Sequence, residues 1–363
     1  MTTKRTLLKF VTATAIATAI AALTSSAQAQ EPIPVVATFS ILGDMVERVG
    51  GNAVTVTTLV GRNGDSHVYQ PTPADAKAVK RASVLFTNGL EFEGWLERLA
   101  EAAGFNGETV VTTNGLNVIA MEEEHHDDEH EDEEHHDDKD EHHDDDKHAA
   151  ADEHHDEGHD EDDKDAHANE DEHGEDEHGH HDHGEFDPHG WLSLQNAVVY
   201  VDNITDALAK TAPAHATTFY QNRASYVAEI ELLDKQIKEQ FAALPESART
   251  VVTSHDAFQY FARDYGLIFL APQGLSTESE ASAREVAELI KQIRAQGISA
   301  VFVENVADPR LLQQIARETG SVIGGELFPG ALSDKDGPAA TYLELMRHNA
   351  ATITTALSEA KKQ

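Results

Sequence analysis

Three histidines of this chain stand in short polar loops, two following apolar, β-branched runs and the third where an acidic, histidine-rich stretch rejoins ordinary sequence. His67 lies in Gly64-Asp65-Ser66-His67, beyond the run at 53–60, and His255 lies in Thr253-Ser254-His255-Asp256, where the run at 250–254 gives out. His189 lies in Asp187-Pro188-His189-Gly190-Trp191. A neutral imidazole offers one nitrogen to a metal ion. Three of them suit Zn(II), whereas Mn(II) and Mg(II) prefer oxygen-rich shells. Cu(II) and Ni(II) also accept imidazole, so donor type alone does not exclude them. One loop histidine is ordinarily a polar residue bonded to nearby backbone. Three at strand ends are a different matter, because open α/β sheets bind ligands at the carboxyl ends of their strands. Three histidines plus water would also make the shell of a zinc hydrolase. No separate general base, nucleophile or oxyanion motif accompanies them, so the chain is not read as an enzyme. His215 and His348 fall in helical patterns and are read as surface residues.

A second feature points the same way. Formal charge is −39 over 363 residues, and the stretch 122–185 holds 34 acids, 3 lysines and 17 of the 22 histidines. That stretch alone carries −31, and the remainder is ordinarily acidic at −8. With almost no apolar side chain it cannot offset its chain entropy by burial, so it is expected to be disordered. Its histidine pairs, such as His125-His126 and His180-His181, stand amid Asp and Glu. Such a segment can wrap several divalent ions, each weakly, and protonation near pH 6.5 would release them. An acidic chain lacking Lys/Arg clusters is also a poor nucleic-acid binder.

The elements that must position the three histidines read as alternating strands and helices. Strand-like runs cover 34–39, 53–60, 84–87, 109–113 and 116–119, with helices over 41–49, 74–81 and 92–103. After the acidic stretch come a helix over 192–210 and a long one from Pro213 to about Leu244, closed by Pro245. Its apolar residues Phe219, Tyr226, Ile230, Leu233, Ile237 and Phe241 recur at helical spacing. About 30 residues span roughly 45 Å, too long for one lobe. Strands at 250–254, 267–270, 299–303 and 322–327 then alternate with helices at 257–265, 280–295, 309–319 and 339–360. This alternation predicts parallel sheets with right-handed crossovers.

The first residues read as an export signal. Lys4 and Arg5 precede a nearly continuous apolar run over 7–23, and Ala27-Gln28-Ala29 is an A-x-A cleavage pattern. Cleavage is expected after Ala29. There is no cysteine, which excludes disulfides, Fe–S ligation, cysteine zinc sites, a thiol nucleophile and a lipid anchor on cysteine.

Several ordered stretches resemble the metal-specific periplasmic binding proteins of ABC transporters, and within them the zinc-uptake members. These are Gly64-Asp65-Ser66-His67-Val68-Tyr69-Gln70-Pro71-Thr72-Pro73, Asn88-Gly89-Leu90-Glu91-Phe92-Glu93-Gly94-Trp95-Leu96 and Asp187-Pro188-His189-Gly190-Trp191-Leu192. Ser254-His255-Asp256-Ala257-Phe258-Gln259-Tyr260-Phe261 follows, with Tyr265-Gly266, Gly337-Pro338, Tyr342 and Asn349. The resemblance implies two Rossmann-like β/α lobes joined by one long rigid helix, with the metal in the cleft and His67, His189 and His255 as its ligands. Many relatives add an aspartate just after the last strand; here Phe328-Pro329-Gly330 stands there, and Gly330 has no side chain. Water is the first expectation for the fourth position, with Glu304, Asp334 and Asp336 as alternatives. Relatives selecting manganese place a carboxylate where this chain has His255. Asp187 and Asp256 are expected to orient the histidine rings.

The expected architecture is therefore α/β, with a signal peptide over 1–29 and a first lobe over 30–211 interrupted by the insertion 122–185. A bridging helix over 212–245 and a second lobe over 246–363 follow. The expected function is periplasmic capture of Zn(II) by a monomer that delivers it to an ABC-transporter membrane permease, the insertion gathering additional zinc. A free periplasmic zinc buffer or metallochaperone is the alternative, and a three-histidine zinc hydrolase a more distant one.

Overall fold

The computed structural model describes residues 31–120 and 185–360. The export signal and nearly all of the acidic insertion lie outside the described residues. In the first lobe, β1 (Ile33–Phe39), β2 (Val54–Val60), β3 (Val84–Thr87) and β4 (Glu108–Val111) form a parallel sheet in the order β2-β1-β3-β4. In the second, β5 (Thr250–Val252), β6 (Ile268–Leu270), β7 (Ala300–Glu304) and β8 (Val322–Leu327) form another in the order β6-β5-β7-β8. The two orders are the same in pattern, so one plan is used twice without a visible sequence repeat. In each sheet the order reverses at the central pair, β1/β3 or β5/β7, which is where α/β sheets open a crevice for ligands.

The helices are α1 (Ser40–Gly50), α2 (Pro73–Arg81), α3 (Leu96–Ala103), α4 (Leu194–Thr211) and α5 (Ala216–Ala242), then α6 (Gln259–Tyr265), α7 (Ala283–Gln296), α8 (Arg310–Thr319) and α9 (Tyr342–Ala360). The long helix begins later than its sequence pattern suggests. Pro213–His215 form a separate 3-10 turn, and the α-helix proper has 27 residues, about 40 Å. It buries Phe219, Tyr226, Val227, Ile230, Leu233, Ile237 and Phe241. It packs on α4 and α1 of the first lobe and on α6 and α9 of the second. The main apolar core consequently runs without a break from Val35 through α5 to Leu357, while Val252, Ile293 and Leu312 belong to a smaller core in the second lobe.

Two helices are shorter than their apolar periodicity predicts. The stretch from Phe92 to Trp95 is a turn, because the buried Glu93 carboxylate accepts from the Asn88 and Gly89 N–H groups at 2.7 and 3.1 Å and from Thr38 Oγ1 at 2.6 Å. Helix α7 begins after Ser282, whose side chain and that of Glu285 form a reciprocal capping box. The expected strand at 116–119 is irregular; an antiparallel bridge instead joins Ala120 to Phe186. No helix among the described residues is long and apolar enough to cross a membrane.

Candidate metal centre

His67 and His255 are carried on loops beyond β2 and β5 and His189 on the loop that leads into α4, and each is fixed by polar contacts. The loop after β2 is held where the Ser66 carbonyl accepts from Trp95 Nε1 at 3.0 Å and the His67 N–H donates to Asp65 Oδ1 at 2.9 Å. The loop after β3 supports both first-lobe ligands. Gly89 takes φ +87°, and a Cβ there would lie 2.5 Å from Val111 Cγ1, so the position demands glycine. Leu90 and Glu91 also adopt positive φ, strain that the Glu93 hydrogen bonds hold in place. The turn delivers Phe92 edge-on against the His67 ring, at 4.9 Å between centroids.

His189 follows Pro188, whose carbonyl accepts from Asn88 Nδ2 at 2.9 Å, and Asn88 is itself fixed by the Tyr200 hydroxyl at 2.6 Å. One oxygen of Asp187, Oδ1, accepts both the His189 backbone N–H at 2.9 Å and the Nδ1–H at 2.8 Å. In the second lobe Glu304, the last residue of β7, does the same for His255. Its Oε1 accepts from the Ser254 and His255 N–H groups at 2.7 and 3.2 Å, and its Oε2 meets His255 Nδ1 at 2.5 Å. Because β5 and β7 are the central pair of their sheet, this contact sits at the ligand-binding crevice.

These loops bring His67, His189 and His255 together. One ring nitrogen from each lies within 4.8 Å of the other two, and the Nε2 atoms of His67 and His189 are 3.3 Å apart. His189 and His255 are almost completely buried, and His67 is partly open. With Nδ1 of His189 and of His255 committed to carboxylates, the nitrogen left for a ligand is Nε2. Such pairing fixes both tautomer and ring direction and raises ligand basicity. Burial, with help from the neighbouring imidazoles, holds His67 well below the usual histidine range. Burial and the nearby His255 do the same for His189, so both are neutral near pH 7. Burial also pulls on His255, but the Glu304 carboxylate outweighs it and raises that group.

The structure corrects the expectations for the surrounding acids. Glu304 orients His255 and is not among the gathered nitrogen donors. Asp256, expected to orient a ring, instead accepts from Gln259 Nε2 at 2.6 Å. Asp334 and Asp336 are exposed on the segment before α9, and no acid joins the three histidines among the described residues. At Gly330 a Cβ would meet nothing within 4 Å. His215 and His348 are half-buried, not fully exposed, and lie outside the cluster. The role of Glu304 had a sequence signal, namely a lone charge closing the buried run Ala300-Val301-Phe302-Val303. The cover of Phe92 and Trp191, whose rings lie 6.0 and 5.3 Å from that of His189, had none that distinguishes it from ordinary core.

Comparison with known proteins identifies the family. The chain is 27% identical over 340 residues to the iron-binding protein YfeA of Yersinia pestis, covering 93% of this chain and 90% of that one. It is 29% identical over 334 residues to the manganese-binding lipoprotein MntA of Bacillus subtilis, covering 91% of each. Among solved structures, the Mn-bound periplasmic metal binding protein of Candidatus Liberibacter asiaticus superposes with a TM-score of 0.67 at 27% identity, covering 89% of this chain and 98% of that one. The periplasmic zinc binding protein TroA of Treponema pallidum gives 0.71 at 25% identity, covering 90% and 99%. The family described as zinc-uptake complex component A, periplasmic, matches residues 35–356, and the chain belongs to that family of periplasmic metal-binding receptors of ABC transporters.

Proposed function

We propose that this protein captures Zn(II) at His67, His189 and His255 and delivers it to an ABC-transporter permease for import. The observation carrying this reading is the donor set: three imidazole nitrogens within 4.8 Å of one another, with no carboxylate among them. Relatives of similar identity are named for iron, manganese and zinc, so overall likeness does not choose the metal. Donor chemistry does: nitrogen-rich, four-coordinate sites favour Zn(II) over Mn(II), which prefers oxygen. In this reading water completes the shell, because Gly330 has no side chain to coordinate. The buried Asp187 and Glu304 carboxylates turn two rings toward the ion and balance its charge once it is bound. Enclosure of the site between the lobes suits retention and release of an ion more than turnover of a substrate.

The insertion 122–185 extends this function. Its 17 histidines among 34 acids gather further zinc equivalents of lower affinity, raising the local supply near the cleft when the metal is scarce. Titration calorimetry with Zn(II) and Mn(II) tests the assignment. One tight zinc event plus weaker ones, with manganese bound far less tightly, is expected. Manganese binding as tight as zinc would overturn the metal assignment, and uptake unchanged in a deletion strain under chelation would overturn the transport role.

A further inference from the structure

Tyr260 is completely buried in the first turn of α6, five residues beyond His255. Its hydroxyl reaches out of the second lobe to two backbone groups of the first. It donates to the Asp187 carbonyl at 2.9 Å and accepts the Ile119 N–H at 3.1 Å. The Asp187 N–H in turn donates to the Ile119 carbonyl at 2.9 Å. Both main-chain polar groups of Asp187 are thus engaged. Its side chain contributes Oδ1 to His189, while Oδ2 is buried without a partner. The carboxylate therefore has no anchor of its own beyond the histidine it orients, and its direction is set by the backbone that carries it.

We infer that Tyr260 is a positioning residue for the metal centre, fixing His189 through the Asp187 backbone and holding it in register with His255. The inference rests on the three-histidine reading above. The two ligands come from different lobes, and the path between them is short: the five-residue step from His255 into the start of α6 at Tyr260, one hydrogen bond, and the Asp187 carboxylate. Tyr260 and Asp187 are buried and Ile119 is half-buried, so losing the hydroxyl would leave the Asp187 carbonyl without this donor and the Ile119 N–H without its acceptor, and they would move to find partners. The Arg263 guanidinium over the Tyr260 ring, 5.2 Å from its centroid, keeps the ring in place independently of the hydroxyl. The same hydroxyl also closes the stem from which the insertion leaves, since Ile119 and Asp187 flank the Ala120–Phe186 bridge. Stem and ligand share one fixture.

Tyr260→Phe in the full chain tests this, because it keeps the ring and removes the two hydrogen bonds. Three readouts are taken: zinc release into excess chelator, the visible spectrum of the Co(II)-loaded protein, and the thermal midpoint without metal. Release roughly tenfold faster, the low end of what outer ligand contacts control, and an altered Co(II) spectrum are expected. Asp187→Asn should give a similar spectral change, and the double variant no more than the larger single one. Replacement of Tyr260 by 4-aminophenylalanine keeps a donor to the Asp187 carbonyl and should restore release toward the parent rate. It also serves if the Phe variant fails to fold. A lowered midpoint with unchanged spectrum and release would overturn the inference, as would an amino variant that folds yet releases zinc no more slowly than Tyr260→Phe, or faster than the parent by the full tenfold. Failure of the underlying reading is separate: His189→Ala would then leave the Co(II) spectrum unchanged.

Discussion

Thr277 of the second lobe donates its hydroxyl to Asp65 Oδ2 at 2.5 Å, while Oδ1 of the same carboxylate accepts the His67 backbone N–H at 2.9 Å. The segment bearing Thr277 is also stitched to His255, through the His255–Gln273 bridge and the Asp256 N–H to Gly274 carbonyl bond at 3.0 Å. One strap therefore touches a ligand segment in each lobe. Thr277→Val should leave Asp65 Oδ2 without its donor, at a cost of about 1 kcal/mol in this half-buried setting. That cost falls on the arrangement that holds the three histidines together, so zinc should dissociate roughly 5- to 10-fold faster, as read by stopped-flow chelation. A release rate equal to the parent's would show that the strap does not restrain His67.

The ligand set predicts a hierarchy of losses. Replacing His67, His189 or His255 by Ala removes a nitrogen and should weaken the tight zinc event at least about a hundredfold, or ~2.7 kcal/mol. Glu304→Gln keeps an acceptor for the Ser254 and His255 N–H groups but removes the negative charge that makes the His255 Nε2 a more basic ligand, so a milder loss of about 10- to 100-fold is expected. Titration calorimetry of the four variants gives the order. Tight binding retained in all three alanine variants would remove the assignment.

What could be read from the sequence was whatever local pattern encodes. The 3.6-residue period of Phe219 through Phe241 announced the long helix, and β-branched runs announced the strands beyond which His67 and His255 lie. Helix starts failed where a side chain recaptured the backbone: Glu93 converts a helical-looking stretch into a turn, and the Ser282–Glu285 box resets the start of α7. That capping box was visible in the residues and outranked the apolar period that suggested an earlier start. Long-range partners were not visible. Glu304 meets His255 because β7 lies beside β5 in one sheet, and Thr277 meets Asp65 because segments of the two lobes come together at the site. Nothing in the spacing of those residues encodes it.

Gly330 offers a change of metal preference. Its backbone lies outside the left-handed region and a Cβ there would meet nothing within 4 Å, so Gly330→Asp is sterically allowed. An added carboxylate near the three imidazoles would supply the oxygen ligand that Mn(II) favours. Competition between zinc and manganese should show zinc preference falling by about tenfold, equivalent to ~1.4 kcal/mol. An unchanged ratio would mean that position 330 does not reach the ion. A crystal structure with a native carboxylate about 2.2 Å from zinc would refute the water-completed shell.

Asp44 gives a pH dependence away from the metal. It sits on α1 and accepts the Tyr342 N–H at the start of α9, at 3.0 Å, and burial pushes its carboxyl up to about 6 despite that bond and the nearby Arg48. The folded protein therefore holds a proton on Asp44 that the unfolded chain has lost. The contribution of neutral Asp44 is full below about pH 4 and is lost as pH rises through 6. Asp44→Asn keeps an acceptor for Tyr342 without the charge. The variant should gain on the parent between pH 4 and 7, by roughly 2 kcal/mol at the upper end. Urea unfolding of the metal-free proteins at several pH values measures the gap, and a gap independent of pH would refute the role.

Deletion of residues 122–185 separates the two proposed zinc stores. The ends of that cut are already adjacent in space: Ala120 bridges Phe186, and the Asp187 N–H donates to the Ile119 carbonyl at 2.9 Å. A short Gly/Ser join therefore asks little of the backbone, and closing a short loop costs less entropy than closing a long one. No residue of the three-histidine cluster and no described core residue is removed. The deletion variant should keep its thermal midpoint and its single tight zinc event while losing the weaker equivalents, and it should shed a net charge of −31. Because the insertion would act by raising local zinc concentration, its loss should slow growth and uptake in chelated medium and have no effect when zinc is plentiful. Calorimetry decides the binding half, where unchanged stoichiometry would mean that the 17 histidines hold nothing. Growth under chelation decides the other half, since a deletion strain matching the parent there would reduce the insertion to an acidic solubilising tract.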